Sequence, residues 1–242
     1  MSRLLYFRHA QASFGKADYD QLSELGYEQS SVLGQHLVTQ EVQFDHIYVG
    51  PLKRHHQTLS KVVEAYKVAG VPLPDIQEIK ELEEHRGPEI LKTNMSKIRD
   101  FDPQIRQWDE ERIEDPSLFT KNGLLIFERA MEMWATGALE HLQPEQYLNW
   151  ADFRKQVSNG YEYVLDKHKH ERGKTIGLFT SGGTISAIMG RVLGIESDRD
   201  VIRLNGIVQN TSITEVLYSE HRATLKRFNE VSHLPEKMHT YV

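Results

Sequence analysis

The chain contains no cysteine, which excludes disulfides and thiolate metal sites and fits a reducing compartment such as the cytoplasm. Long apolar runs are missing as well: none approaches the ~20 residues a membrane helix needs. The start, MSRLLYFRHAQAS, is apolar only from Leu4 to Phe7 before Arg8 and His9, too short for a signal-peptide core. There is no surplus of positive charge. The formal net charge of -6 disfavours a basic face for nucleic acid, so any anion site must be local. The most basic run, Lys167 to Lys174, reads as a solvated helix end. His168 and His170 within it stand at i and i+2 and do not share a helical face as a metal pair would. No GxxxxGK[ST] segment occurs, which sets aside a P-loop nucleotide site. Internal repeats and low-complexity tracts are also absent.

What is present suits one sizeable α/β domain: 242 residues, 39% hydrophobic and 26% charged. Leu4 to Phe7 predicts a buried strand that delivers Arg8 and His9 to its C-terminal edge, where open α/β sheets place their chemistry. Ser23 caps a predicted helix carrying Val32, Leu33, His36 and Leu37. Phe44 to Val49 holds a second strand, stopped by Gly50-Pro51 before a helix over Lys53 to Tyr66, with Arg54 in its first turn. A third strand falls within Ile76 to Leu82. From about Gly87 to Trp150 the pattern is helical, with Trp108, Trp134 and Trp150 and little strand signal, and this segment reads as a helical insert capping the sheet edge. A helix over Phe153 to Lys169 follows. Ile176 to Phe179 is a central strand, and Thr180-Ser181-Gly182-Gly183 turns into a helix over Thr184 to Leu193. Ser212 to Leu217 and Thr224 to Asn229 complete the sheet, and the tail after Pro235 is expected to be loose. The fold class is therefore a three-layer α/β/α sandwich around a mostly parallel sheet.

Four patches sit at predicted strand ends or helix starts: Arg8-His9-Ala10, Gly50-Pro51-Leu52-Lys53-Arg54, Leu82-Glu83-Glu84 and Thr180-Ser181-Gly182-Gly183. Each alone has an ordinary explanation as a cap, a wet face or a turn. Together, in order and spacing, they resemble the histidine phosphatase, or phosphoglycerate mutase-like, superfamily over most of the chain. Arg8-His9-Ala10 stands for the family's RHG. GPLKRHHQT is similar to its SPLxRxxQT, which places Arg54 and Thr58. Leu22 to Gln29 resembles its LTxxGxxQ, and Asn210-Thr211-Ser212-Ile213-Thr214 its NxSIT strand entry.

The resemblance implies a phosphatase acting on a small phosphomonoester, with a role for each matching position. His9 would attack phosphorus as a neutral imidazole and carry the phosphoryl group until water removes it. Arg8 and Arg54 would clamp the phosphate with planar forks. Glu84 would protonate the leaving alkoxide and then activate water. Glu83 is the fallback, because a glycine commonly follows the family's acid by four places, as Gly87 follows Glu83. Nothing calls for a metal or another cofactor, and no nucleic-acid or membrane partner is expected.

The chain departs from the family at the second histidine, which precedes the Gly-Gly turn in a THGG-like segment. Ser181 stands there instead. A hydroxyl can donate one hydrogen bond to a phosphoryl oxygen, and backbone N–H groups from Gly182 onward can add more, but neither supplies positive charge. Losing one charge-assisted bond of about 1.5 to 3 kcal/mol slows the chemistry roughly ten- to a hundredfold. On this reading Ser181→His raises or preserves turnover, and His85 or His56 is a candidate substitute donor. Ala10, Ala12 and Gly15 in the front loop argue against mutase activity. Two rival readings follow from the same departure. One is a phosphate-binding or interaction module that has lost useful catalysis. The other is a serine hydrolase using Ser181, Asp198 and His233, although Phe179 occupies the place of the first glycine of GxSxG.

Overall fold

The computed structural model describes residues 1–13, 20–140 and 147–241. In chain order it has β1 (Ser2–Arg8), α1 (Glu24–Thr39), β2 (His46–Val49), α2 (Lys53–Val68), β3 (Ile76–Glu78), α3 (Gly87–Phe101), α4 (Pro103–Glu114), α5 (Phe119–Ala135), α6 (Trp150–His168), β4 (Thr175–Thr180), α7 (Gly182–Leu193), α8 (Asp198–Ile207), β5 (Ile213–Ser219) and β6 (Arg222–Glu230). The strands form one sheet in the order β3-β2-β4-β1-β5-β6. The pairs from β3 to β1 are parallel, and β5 and β6 close the sheet antiparallel.

The short apolar strands alternate between two cores, because successive side chains point to opposite faces. Leu4 and Tyr6 join Tyr48, Ile176, Leu178 and Val216 on one face. Leu5 and Phe7 join Ile47, Val49, Phe179 and Ile213 on the other. α1 and α2 cover the second face with Leu33, Leu37, Leu59 and Val62. The first is covered by α6 and α7 and by the helices over 87–135, through Phe153, Val157, Ile185, Ile188 and Trp134. This is the expected three-layer α/β/α arrangement. Ser23 caps α1 as expected, its side chain accepting from Gly26 N.

Several local expectations need correction. The third strand is only Ile76–Glu78, and the chain then makes a 3₁₀ turn over Lys80–Leu82. Helix α8 was not foreseen: its sequence, DRDVIRLNGI, buries only Val201 and Ile202, too few apolar positions to show a period. The tail is not loose. Met238 is buried, Gln29 Nε2 donates to Met238 O (2.7 Å), and Asn210 N donates to Thr240 O (2.9 Å). These bonds go to main-chain groups and leave no trace in composition. In the basic run, His168 is buried, between Tyr48 Oη (2.8 Å) and the Glu171 carboxylate (3.1 Å). Among the described residues no helix is long and apolar enough to cross a membrane.

Candidate active site

Strands β1 and β4 run parallel with Arg8 opposite Thr180, and His9 N donates to Thr180 O (2.8 Å). His9 and Ser181 therefore leave adjacent strand ends side by side, at the carboxyl edge of the sheet. Three distant segments hold the backbone there. Asn210 Nδ2 donates to His9 O (3.0 Å), Ala10 N donates to Thr58 Oγ1 (3.0 Å), and Gln11 N donates to Gln29 Oε1 (2.8 Å). The segments NTSIT, HHQT and LGYEQ thus converge on the residues around His9, which explains why they are spaced so far apart in the chain.

The His9 ring is buried and its tautomer follows from its neighbours. Nδ1 donates to the Ala10 carbonyl (2.7 Å), so Nε2 carries the lone pair, and Arg54 Nε donates to it (3.1 Å). Burial first, then the positive charges of Arg54 and Arg8, holds the imidazole pKa well below its ordinary value. The imidazole is therefore buried and neutral, with Arg54 against its Nε2 lone pair. Arg54 is set by the start of α2, where Asp20 does the work of a cap. Asp20 Oδ2 accepts from Lys53 N (2.9 Å), and Oδ1 pairs with Arg54 Nη1 (2.9 Å).

Arg8 is arranged differently from the expected symmetrical clamp. Its Nη1 donates to Val208 O and its Nη2 to Tyr241 O (2.8 Å), which turns the fork toward the end of α8 and the tail. Its Nε edge lies on the turn, 3.4 Å from where a Cβ on Gly182 would stand. Arg54 donates to the His9 ring, and the charge of Arg8 also acts on it.

The two acidic candidates separate cleanly. Glu83 pairs with Arg86 at the surface. Glu84 turns to the N-terminus of α7, where its Oε2 accepts from Gly183 N (2.8 Å) and its Oε1 from His85 N (2.9 Å). Of the histidines considered as substitutes, His56 is exposed on Glu78 (2.8 Å), and His85 is buried beside Glu84 and Gly183.

The residue against Ser181 is His55, which sequence reasoning passed over: His55 Nε2 lies 2.6 Å from Ser181 Oγ, and both are fully buried. Its ring centroid is 5.8 Å from that of His9. An imidazole at position 181 pointing along the present Oγ would meet the His55 ring. The hydrolase triad does not assemble. Asp198 pairs with Arg154 (2.5 Å), and His233 lies beside Thr211 (3.3 Å) and His36. Gly15 lies outside the described residues.

Three histidines, two of them buried and one half-buried, give the fold a pH dependence. Burial holds His9 and His55 well below 6.5 and brings His233 to about 4. In the unfolded chain each titrates near 6.5, so below that pH the unfolded state binds protons that the folded state does not. Stability is full above 6.5 and falls beneath it, by about 1.4 kcal/mol per pH unit for each histidine until its folded pKa is reached. Urea midpoints at pH 7 and pH 5 check this, and equal midpoints would contradict it.

A neutral imidazole beside an arginine thus stands at the carboxyl edge of the parallel part of the sheet. The chain belongs to the histidine phosphatase superfamily (branch 1), whose family model matches residues 4–129 and 126–231. No curated protein matches it in sequence. Similar solved structures include phosphoglycerate mutase from Bacillus anthracis (14% identity, TM-score 0.62, covering 96% of this chain and 94% of that one). Phosphoserine phosphatase from Entamoeba histolytica, in complex with 3-phosphoglyceric acid, is 18% identical with a TM-score of 0.60, covering 97% of this chain and 100% of that one. A mycobacterial glucosyl-3-phosphoglycerate phosphatase is 18% identical with a TM-score of 0.61, covering 95% and 99%. At these identities the likeness is one of fold.

Proposed function

We propose that the protein hydrolyses a small phosphomonoester through a phosphohistidine at His9. The observation that carries this is the tautomer: the Ala10 carbonyl takes the Nδ1 proton, which leaves the Nε2 lone pair on the side of Arg54. In the first step Nε2 bonds to phosphorus and the ester P–O bond breaks. Arg54 neutralises charge on the phosphoryl oxygens, with Arg8 and the Gly182 backbone behind it. Glu84 gives the proton that the departing alkoxide needs, then takes one from the water that cleaves the P–N bond. The products are an alcohol and inorganic phosphate, with His9 and Glu84 restored. The helices over 87–135 serve as a cap over the substrate in this reading, which treats residues 1–242 as one domain.

Solved relatives of the same fold include a phosphoserine phosphatase bound to 3-phosphoglyceric acid and a glucosyl-3-phosphoglycerate phosphatase. Small phosphorylated acids and sugar phosphates are therefore the first substrates to try. Phosphate release from a panel of such esters, with inhibition by vanadate, tests the proposal. Hydrolysis of at least one ester is expected, and no release from any of them would overturn it.

A further inference from the structure

The site lacks the second histidine of its family, yet a histidine lies against the hydroxyl that replaces it. His55 Nε2 is 2.6 Å from Ser181 Oγ, with both residues fully buried beside His9. The ring fits because position 50 is glycine, where the family's SPLxRxxQT motif has serine. A Cβ on Gly50 would collide with His55 Nδ1 and stand 2.7 Å from Leu82 O. Two departures from the family pattern, Gly50 and Ser181, therefore meet at the His55 ring. Gly50→Ala should displace the ring and lower stability measurably in a urea melt, whereas an unchanged melt and turnover would show that the ring is not seated as described.

The direction of the contact follows from its surroundings. His55 is held neutral by burial and by Arg54, so it carries a single ring proton. Nδ1 lies beside the Gly50 backbone, which raises the ring's pKa a little, but it makes no hydrogen bond of good geometry there. The 2.6 Å contact is the ring's one well-formed hydrogen bond, so the proton is assigned to Nε2 and donated to Ser181 Oγ. Ser181 is the N-cap of α7, the usual place for a serine to accept from its own helix, but its side chain makes no capping bond. Among the described residues its Oγ bonds to nothing besides His55. The hydroxyl proton is thus left over, on a residue that leaves the sheet next to His9.

We propose that His55 takes over the missing histidine's part as a positioning residue, fixing Ser181 so that its hydroxyl donates to an oxygen of the phosphoryl group on its way to His9. The chain runs from His55 Nε2–H to Ser181 Oγ and from Ser181 O–H to the phosphoryl oxygen. No proton changes owner. Hydrogen bonds in series polarise one another, so the serine becomes a better donor than an isolated hydroxyl. The inference rests on the phosphatase reading above.

The test compares kcat for p-nitrophenyl phosphate in variants whose melting curves show a folded protein. His55→Leu fills the space without a donor, and Ser181→Ala removes the hydroxyl. Each is expected to lower kcat about ten- to a hundredfold, and the double variant should fall no further than the worse single one, because the pair acts as a unit. His55→Gln places an amide N–H near the old Nε2 and should recover most of the loss, which volume alone would not do. Ser181→His should fail alone and regain turnover when combined with His55→Ala. A folded His55→Leu with wild-type kcat, or losses that multiply in the double variant, would overturn the relay. His9→Ala run beside them separates the two ideas. Activity lost there but kept in His55→Leu sinks the relay alone, whereas activity kept in His9→Ala sinks the phosphohistidine reading on which it rests.

Discussion

Replacing His9 by alanine is expected to lower kcat by about 10⁵-fold or more, the scale on which loss of a nucleophile is felt in enzymes that work through a covalent intermediate. The fold should survive, because the main-chain bonds from His9 N to Thr180 and from Asn210 to His9 O do not involve the ring. Binding of phosphate should survive as well, since Arg8 and Arg54 remain. A steady-state assay with a melting curve checks both parts. Activity within about tenfold of wild type would remove His9 from the chemistry and leave a different group to be found.

Arg54→Ala is the second large effect, expected at about 10³-fold in kcat, the lower end of what an arginine contributes to phosphoryl transfer. The structure gives a sharper form of the same test. Arg54 uses Nε on His9 and Nη1 on Asp20, two corners of one planar group. Lysine has a single donor centre and cannot occupy both. Arg54→Lys should therefore stay severely impaired although the charge is kept, and a lysine variant within about threefold of wild type would show that charge alone is enough.

Much of this site was legible in the sequence because its parts are strand ends and helix starts. Leu4 to Phe7 announces a buried strand, and the residue after it must emerge at the sheet's edge, which places His9. Gly50-Pro51 stops β2 and puts Arg54 in the first turn of α2. What the sequence hid are the contacts between residues far apart in the chain. His55 looks like one more polar residue on an amphipathic helix, and only the sheet register, which brings Ser181 beside His9, shows that it faces the site. Its one advance signal was the glycine five residues earlier, in a place where the family carries a side chain. Sequence cues put Glu84 first and kept Glu83 as the fallback, and the two part in the structure because α7 presents its N-terminus to Glu84. The docked tail and the turned fork of Arg8 depend on main-chain carbonyls at Val208 and Tyr241, which have no residue signature.

A chemical quench during turnover tests the central claim most directly. A phosphoramidate on imidazole survives alkali and is lost in acid, unlike a phosphoserine. Enzyme mixed with substrate, stopped in alkali and digested should yield one peptide, from the segment MSRLLYFRHAQAS, that carries a phosphoryl group on His9 and loses it in acid. An acid-stable phosphate on Ser181, or turnover with no phosphorylated peptide at any quench time, would contradict the account.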